Sequence, residues 1–195
     1  MPEKGGSFIR RRVSAEGNSE VTFSLYDAVV PSFQRMLDSM SGLLEKAEAH
    51  CAAHGVEPED LIGARLVDDM LPFAYQVKST AVHSAGAIAG AIQGSFSPDQ
   101  SEPGTSFAAL AERIDRAKAA LDALSEDDVN GLLGRPMRFV FGKHYADFTA
   151  ETFLLTFSKP NFYFHATTAY DILRSRGLAI GKVDYIGQLQ FKRIE

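Results

Sequence analysis

Apolar residues recur at helical spacing through Leu25, Ala28, Val29, Phe33, Met36, Leu37, Met40, Leu43, Leu44 and Ala47, while Asp38, Glu45, Lys46, Glu48 and Glu57 fall on the opposite, solvent-facing side. Ser24 followed by Asp27 reads as a capping pair that starts this helix, and Gly55 stops it after His54. Pro31 predicts either a kink or a late start. Val56 to Met70 reads as a connection with one short turn at Pro58–Ile62. A second helix is expected from near Asp69, with Pro72 in its first turn and Phe73, Val77, Ala81, Ile88 and Ile92 facing inward. Gly94 to Gly104 is a loop by composition. Ser106 caps a third helix whose Phe107, Leu110, Ile114, Ala117, Leu121 and Leu124 form a seam. Ser125 to Gly134 reads as a turn region. A hairpin follows, built from Arg138–Phe141 and Asp147–Thr149 around Gly142, Lys143 and His144. Thr149 caps a short helix through Phe157. Pro160 opens the last long one, which ends near Arg176 before Gly177. Residues 177–195 read as an irregular or extended tail.

Amphipathic helices of this size bury their stripes most economically against one another. The expected fold is therefore all-α: an antiparallel four-helix bundle with one small β-hairpin before the last helix. Residues 1–20 form a flexible N-terminal tail, and residues 21–190 form the domain.

Composition narrows the function classes. The chain has 195 residues, 20 Lys+Arg against 25 Asp+Glu, and a formal net charge of -5. Phosphate backbones are held by basic faces, so nucleic acid is not the expected partner. The single cysteine, Cys51, excludes an intrachain disulfide and a cysteine-based metal site. No stretch approaches the ~20 apolar residues of a membrane span. A cytoplasmic protein without membrane contact is expected. Arg10, Arg11 and Arg12 read as a solvated charge run.

Most chemical motifs are missing. There is no glycine-rich phosphate loop and no Gly-x-Ser-x-Gly elbow. Cys51 falls on the apolar side of the first helix, as an inert thiol would. Two histidines stand out by helical position. His165 shares a stripe with Asn161, Thr168, Ala169 and Ile172, and His83 borders the apolar face beside Gln76 and Thr80. Two inward imidazoles on two helices are the beginning of a metal site or of an acid–base site. A core histidine hydrogen-bonded to Asn161 or Thr168 fits the same pattern. His50, His54 and His144 read as surface residues, the first two near the end of a helix where cations interact well with its dipole.

The run Lys159-Pro160-Asn161-Phe162-Tyr163-Phe164-His165-Ala166-Thr167-Thr168-Ala169-Tyr170-Asp171-Ile172-Leu173-Arg174 resembles a domain-of-unknown-function family of the DinB/YfiT-like superfamily. So do Ser24-Leu25-Tyr26, Ala64-Arg65-Leu66 with Asp69-Met70-Leu71-Pro72, Gln76-Val77, and Gly181-Lys182 with Asp184-Tyr185. The resemblance runs from about Phe23 to Gln190. It implies an up-down-down-up four-helix bundle, a homodimer, and a divalent metal such as zinc or nickel held by three histidines. Carried over by position, His83 is the ligand from the second helix and His165 one of the pair from the last. The third ligand is missing, because the residue four after His165 is Ala169 and the residue four before it is Asn161. Relatives that transfer low-molecular-weight thiols or isomerise thiol adducts suggest that chemistry here.

Three readings stay open. One is an enzyme using His83 and His165, with or without a metal, on a small molecule in a pocket with Gln76, Thr80, Asn161 and Thr168. The second is a site in the same place that holds a small ligand without chemistry. The third is a dimeric accessory protein with a degenerate metal site.

Overall fold

The computed structural model describes residues 23–187 and 193. The expected N-terminal tail, 1–20, lies outside the described residues. Helix α1 (Leu25–His54) begins as its sequence indicates, with the Ser24 hydroxyl accepting the Asp27 N–H at 3.1 Å. It ends at Gly55, whose φ of 65° is a conformation that a Cβ would penalise. Pro31 sits inside α1 and does not delay its start. A proline cannot donate to the carbonyl one turn back, and beside that gap the Ala28 carbonyl accepts from Lys159 Nζ at 2.6 Å.

After a short α2 (Pro58–Ile62), α3 spans Phe73–Ala81. It starts four residues later than the sequence suggested. The residue before a proline is disfavoured in helical backbone, so Leu71 cannot carry the helix back through Pro72; Pro72 instead caps it in extended conformation. A π-helical turn, Val82–Gly86, then leads into α4 (Ala87–Gln93). The wider turn advances the helix phase. Ala87, Ile88 and Ala91 face the core, and Ile92, expected inside, is 42% exposed.

The expectation of an all-α chain with a lone hairpin is corrected by a small three-stranded sheet of order β1-β2-β3. The hairpin strands are β2 (Pro136–Phe141) and β3 (His144–Thr149), turning at Gly142 with φ 58°. Strand β1 (Ser95–Phe96) joins β2 in parallel, pairing Phe96 with Phe139. Two residues carry no periodicity, so only tertiary pairing reveals them.

Helix α5 (Phe107–Asp122) is capped by Ser106 as expected. The turn region contains α6 (Glu126–Asn130), closed by a Ser125–Asp128 capping box. The last two expected helices merge into one rod: α7 (Ala150–Thr152), a second π-helical turn (Phe153–Ser158) and α8 (Lys159–Ser175). Where an irregular tail was expected, α9 (Lys182–Ile186) lies on α1, with Asp184 paired to Lys46. Tyr185 is hydrogen-bonded to Thr167 at 2.8 Å.

Helix α1 packs against α5 and α8, and α3 against α8 and α5. Phe33, Phe73, Phe153 and Phe162 are fully buried between them, with Phe33 and Phe162 ring centroids 4.6 Å apart. This core lays α3 beside α8 and so sets the two histidine stripes against each other. At the far end, Gly90 lets β1 approach: a Cβ there would stand 3.0 Å from both the Ser95 carbonyl oxygen and the Phe96 Cβ. Gly90→Ala is therefore expected to destabilise the fold by ~1–3 kcal/mol of overpacking, exceeding the ~1 kcal/mol that alanine returns in helix propensity. Urea unfolding measures it, and an unchanged or higher midpoint would contradict the close β1 packing.

Candidate functional site

The two π-helical turns meet at one buried hydroxyl. Ser158 ends the second turn, is fully buried, and donates through Oγ to the His83 carbonyl in the first turn at 2.9 Å. Serines inside helices usually bond back to their own helix; this one reaches across to a neighbour. With its proton committed to that carbonyl, the hydroxyl accepts the His83 Nδ1–H at 3.3 Å. His83 Nε2 is left as a lone pair with no donor among the described residues.

His165 is fixed by the same logic. Its Nδ1 lies 2.8 Å from Gln76 Oε1, and the Gln76 amide nitrogen donates to the Leu71 carbonyl at 2.8 Å. That second bond sets the amide so that its oxygen faces the ring. An amide oxygen only accepts, so Nδ1 carries the proton and Nε2 is again the free lone pair. The two rings are half-buried, 5.8 Å apart between centroids and nearly parallel at 17°.

The inferred stripes thus bring His83, His165 and Gln76 together, but with different partners from those expected. Gln76, not Asn161, orients His165. Asn161 Nδ2 donates to the Phe157 carbonyl at 2.7 Å, across the end of the π turn. Thr80 Oγ1 donates to the Gln76 carbonyl at 2.9 Å, and Thr168 Oγ1 to the Phe164 carbonyl at 2.7 Å. These three polar groups turn back on their own helices. Ala169 is buried, and among the described residues no three or more His, Cys, Asp or Glu side chains gather as a metal site.

Sequence reasoning missed Ser158 and the aromatic rim. Tyr75 and Phe164 flank His165 at 5.9 and 5.3 Å, and Phe96 and Phe157 flank His83 at 5.5 and 6.1 Å. Phe164 is 57% exposed. The Phe-rich composition of the segment was the only signal for this rim; a π turn leaves no signature in apolar spacing. The other histidines stand apart. His144 opens β3 on the surface, and His50 and His54 close α1. Cys51 is buried, and burial pushes its thiol pKa up, with Asp60, Glu48 and Glu57 adding to the rise.

The electrostatics favour neutral rings. Burial pushes His165 down to about 4, and burial together with the neighbouring His165 pushes His83 down to about 4. Lys78 is buried too, with its pKa lowered by desolvation. Its ammonium is tied to the Asp99 and Ser101 carbonyls at 2.7 Å each, fastening the loop that follows β1.

Two outcomes follow for stability. A histidine with a lowered folded pKa takes up its proton more readily in the unfolded chain. The stabilisation from neutral His83 and His165 is therefore complete above the unfolded value of ~6.5 and is lost as pH falls from there towards 4. Thermal midpoints measured from pH 7.5 to 4 are expected to decline over that window, less steeply in His165→Gln; a flat profile would contradict buried neutral rings. Ser158→Ala strands both a carbonyl and a ring N–H, and is expected to cost ~1–3 kcal/mol in denaturant unfolding.

Residues 25–186 match the family described as Domain of unknown function (DUF1993). No curated protein matches the chain. Among solved structures, a crystal structure of a DinB family member protein from Shewanella denitrificans is similar to it, with a TM-score of 0.73 and 29% sequence identity, over 87% of this chain and 96% of that one.

Proposed function

The chain belongs to the DUF1993 family and is DinB-like, and from that premise we propose that it binds a small uncharged molecule against the Nε2 edges of His83 and His165 and moves a proton on it. The single observation behind this reading is that both Nδ1 atoms are occupied while neither Nε2 has a hydrogen-bond partner among the described residues. Two neutral acceptors suit a ligand that offers O–H, N–H or S–H donors, and the aromatic rim suits an apolar body. The scaffold of this reading is a DinB-like antiparallel four-helix bundle.

Ligand donors would meet the Nε2 atoms of His83 and His165. His165, neutral at pH 7, would take the proton as general base, its basicity raised by the negative charge that develops on the ligand beside it. Its Nδ1–H stays bonded to Gln76 Oε1 as the ring becomes charged, so Gln76 is a positioning residue, as Ser158 is for His83. Proton removal from a thiol or an activated carbon fits the thiol-transfer or isomerase chemistry that the resemblance implies.

A divalent metal does not fit this donor set as a resident cofactor. Catalytic zinc sites use three protein ligands, and here Ala169 stands in the third place. The proposed chemistry therefore runs on side chains alone. The buried Ala169 also favours a second reading, an accessory module retaining a degenerate site.

Nuclear magnetic resonance on histidine-labelled protein separates the two. With uncharged aromatic fragments carrying a hydroxyl, thiol or amine, the His83 and His165 Nε2 signals are expected to shift together while His144 does not. His165→Gln should abolish the effect. If no fragment moves either ring, the ligand-binding reading is lost and the accessory reading stands.

A further inference from the structure

We propose that His50 and His54 form an exchangeable site for a divalent transition-metal ion, separate from the His83–His165 pair. The two residues lie four apart on the last turns of α1, on one face, with ring centroids 4.2 Å apart and planes inclined by 26°. Two histidines four apart on one helix face can both reach a single ion, once the rings turn out of the stacked arrangement so that their in-plane lone pairs converge at ~2.0–2.1 Å from it.

The hydrogen bonding leaves ligands free. His54 Nδ1 donates to the His50 carbonyl at 3.0 Å, which directs its Nε2 lone pair outward. His54 is exposed, and His50 borders a surface groove of about 340 Å³ lined also by Lys46, Ala53, Leu178 and Ile180. Solvent can therefore fill the remaining coordination positions. Lys46, the cation nearest in sequence on this wall, is paired with Asp184. The carbonyl end of α1 adds a partial negative charge. Imidazole donors select zinc, copper or nickel over magnesium or calcium.

Calorimetric titration of the untagged full chain with nickel chloride tests the assignment. One ion per chain is expected. His50→Gln and His54→Gln should each weaken binding roughly tenfold or more, because the second ring acts at an effective concentration of millimolar order or above. The double variant should bind more weakly still, because each single variant keeps one imidazole, and circular dichroism should remain unchanged. His83→Gln and His165→Gln should leave nickel affinity intact. No binding to the parent at millimolar nickel would overturn the proposal, as would unchanged affinity in either His50→Gln or His54→Gln. Loss confined to His165→Gln would overturn it too, by moving the ion to the inter-helix pair. The fragment experiment contains no metal, so its failure is read independently.

Discussion

The arrangement around the two imidazoles depends on one hydrogen-bonded contact, the Ser158 hydroxyl against the π-helical turn that carries His83. A π turn loosens the regular helical ladder, and such turns recur at functional sites. Here two face each other, and each alters what its helix presents. The first turns His83 towards α8 and sends Ile92 to the surface. The second precedes Pro160, where the missing N–H would interrupt the helix in any case. Asn161 and Thr156 donate side-chain hydrogen bonds to carbonyls around that interruption, at 2.7 and 2.6 Å. The irregular backbone is thus satisfied locally, while the one hydroxyl that reaches outward docks the two rods.

That docking makes the imidazoles chemically alike. Each donates through Nδ1 to a fixed oxygen, each holds a free Nε2, and each is neutral because burial penalises its charge. A pair of half-buried acceptors without a donor among the described residues can receive one from a bound molecule. The aromatic surroundings supply none, since Phe96, Phe157 and Phe164 have no polar atom and Tyr75 presents its ring. This imbalance is the physical basis for placing a donor-bearing molecule there.

Much of the chain was legible from pattern. The 30-residue α1 declared itself through Ser24, Gly55 and its apolar stripe, and Ser106 declared α5. These signals are local: a cap or an amphipathic period depends on residues within a turn or two. Elements that depend on distant partners were misread. Strand β1 exists because Phe96 pairs with Phe139, and α9 is held on α1 by Lys46 and Asp184. Glycine-rich composition around each suggested loop. The start of α3 was misplaced because the steric effect of Pro72 on Leu71 outweighed the tolerance for proline in a first turn.

The candidate site divides in the same way. The sequence by itself determined that His83 and His165 face inward and that Gln76 stands near, since these are matters of residue identity and helical phase; that Ala169 stands where a third ligand would be is what the family resemblance implies. Only the tertiary structure decided which partner each ring takes. Asn161 is one turn from His165 and was the natural candidate, yet its amide is drawn to the Phe157 carbonyl beside the π turn, and Gln76 reaches the ring from another helix. Periodicity reports which face a side chain occupies, whereas a hydrogen bond between helices depends on the axial offset at which they pack. That offset was set by the phenylalanine core and by Ser158, which no local pattern encodes.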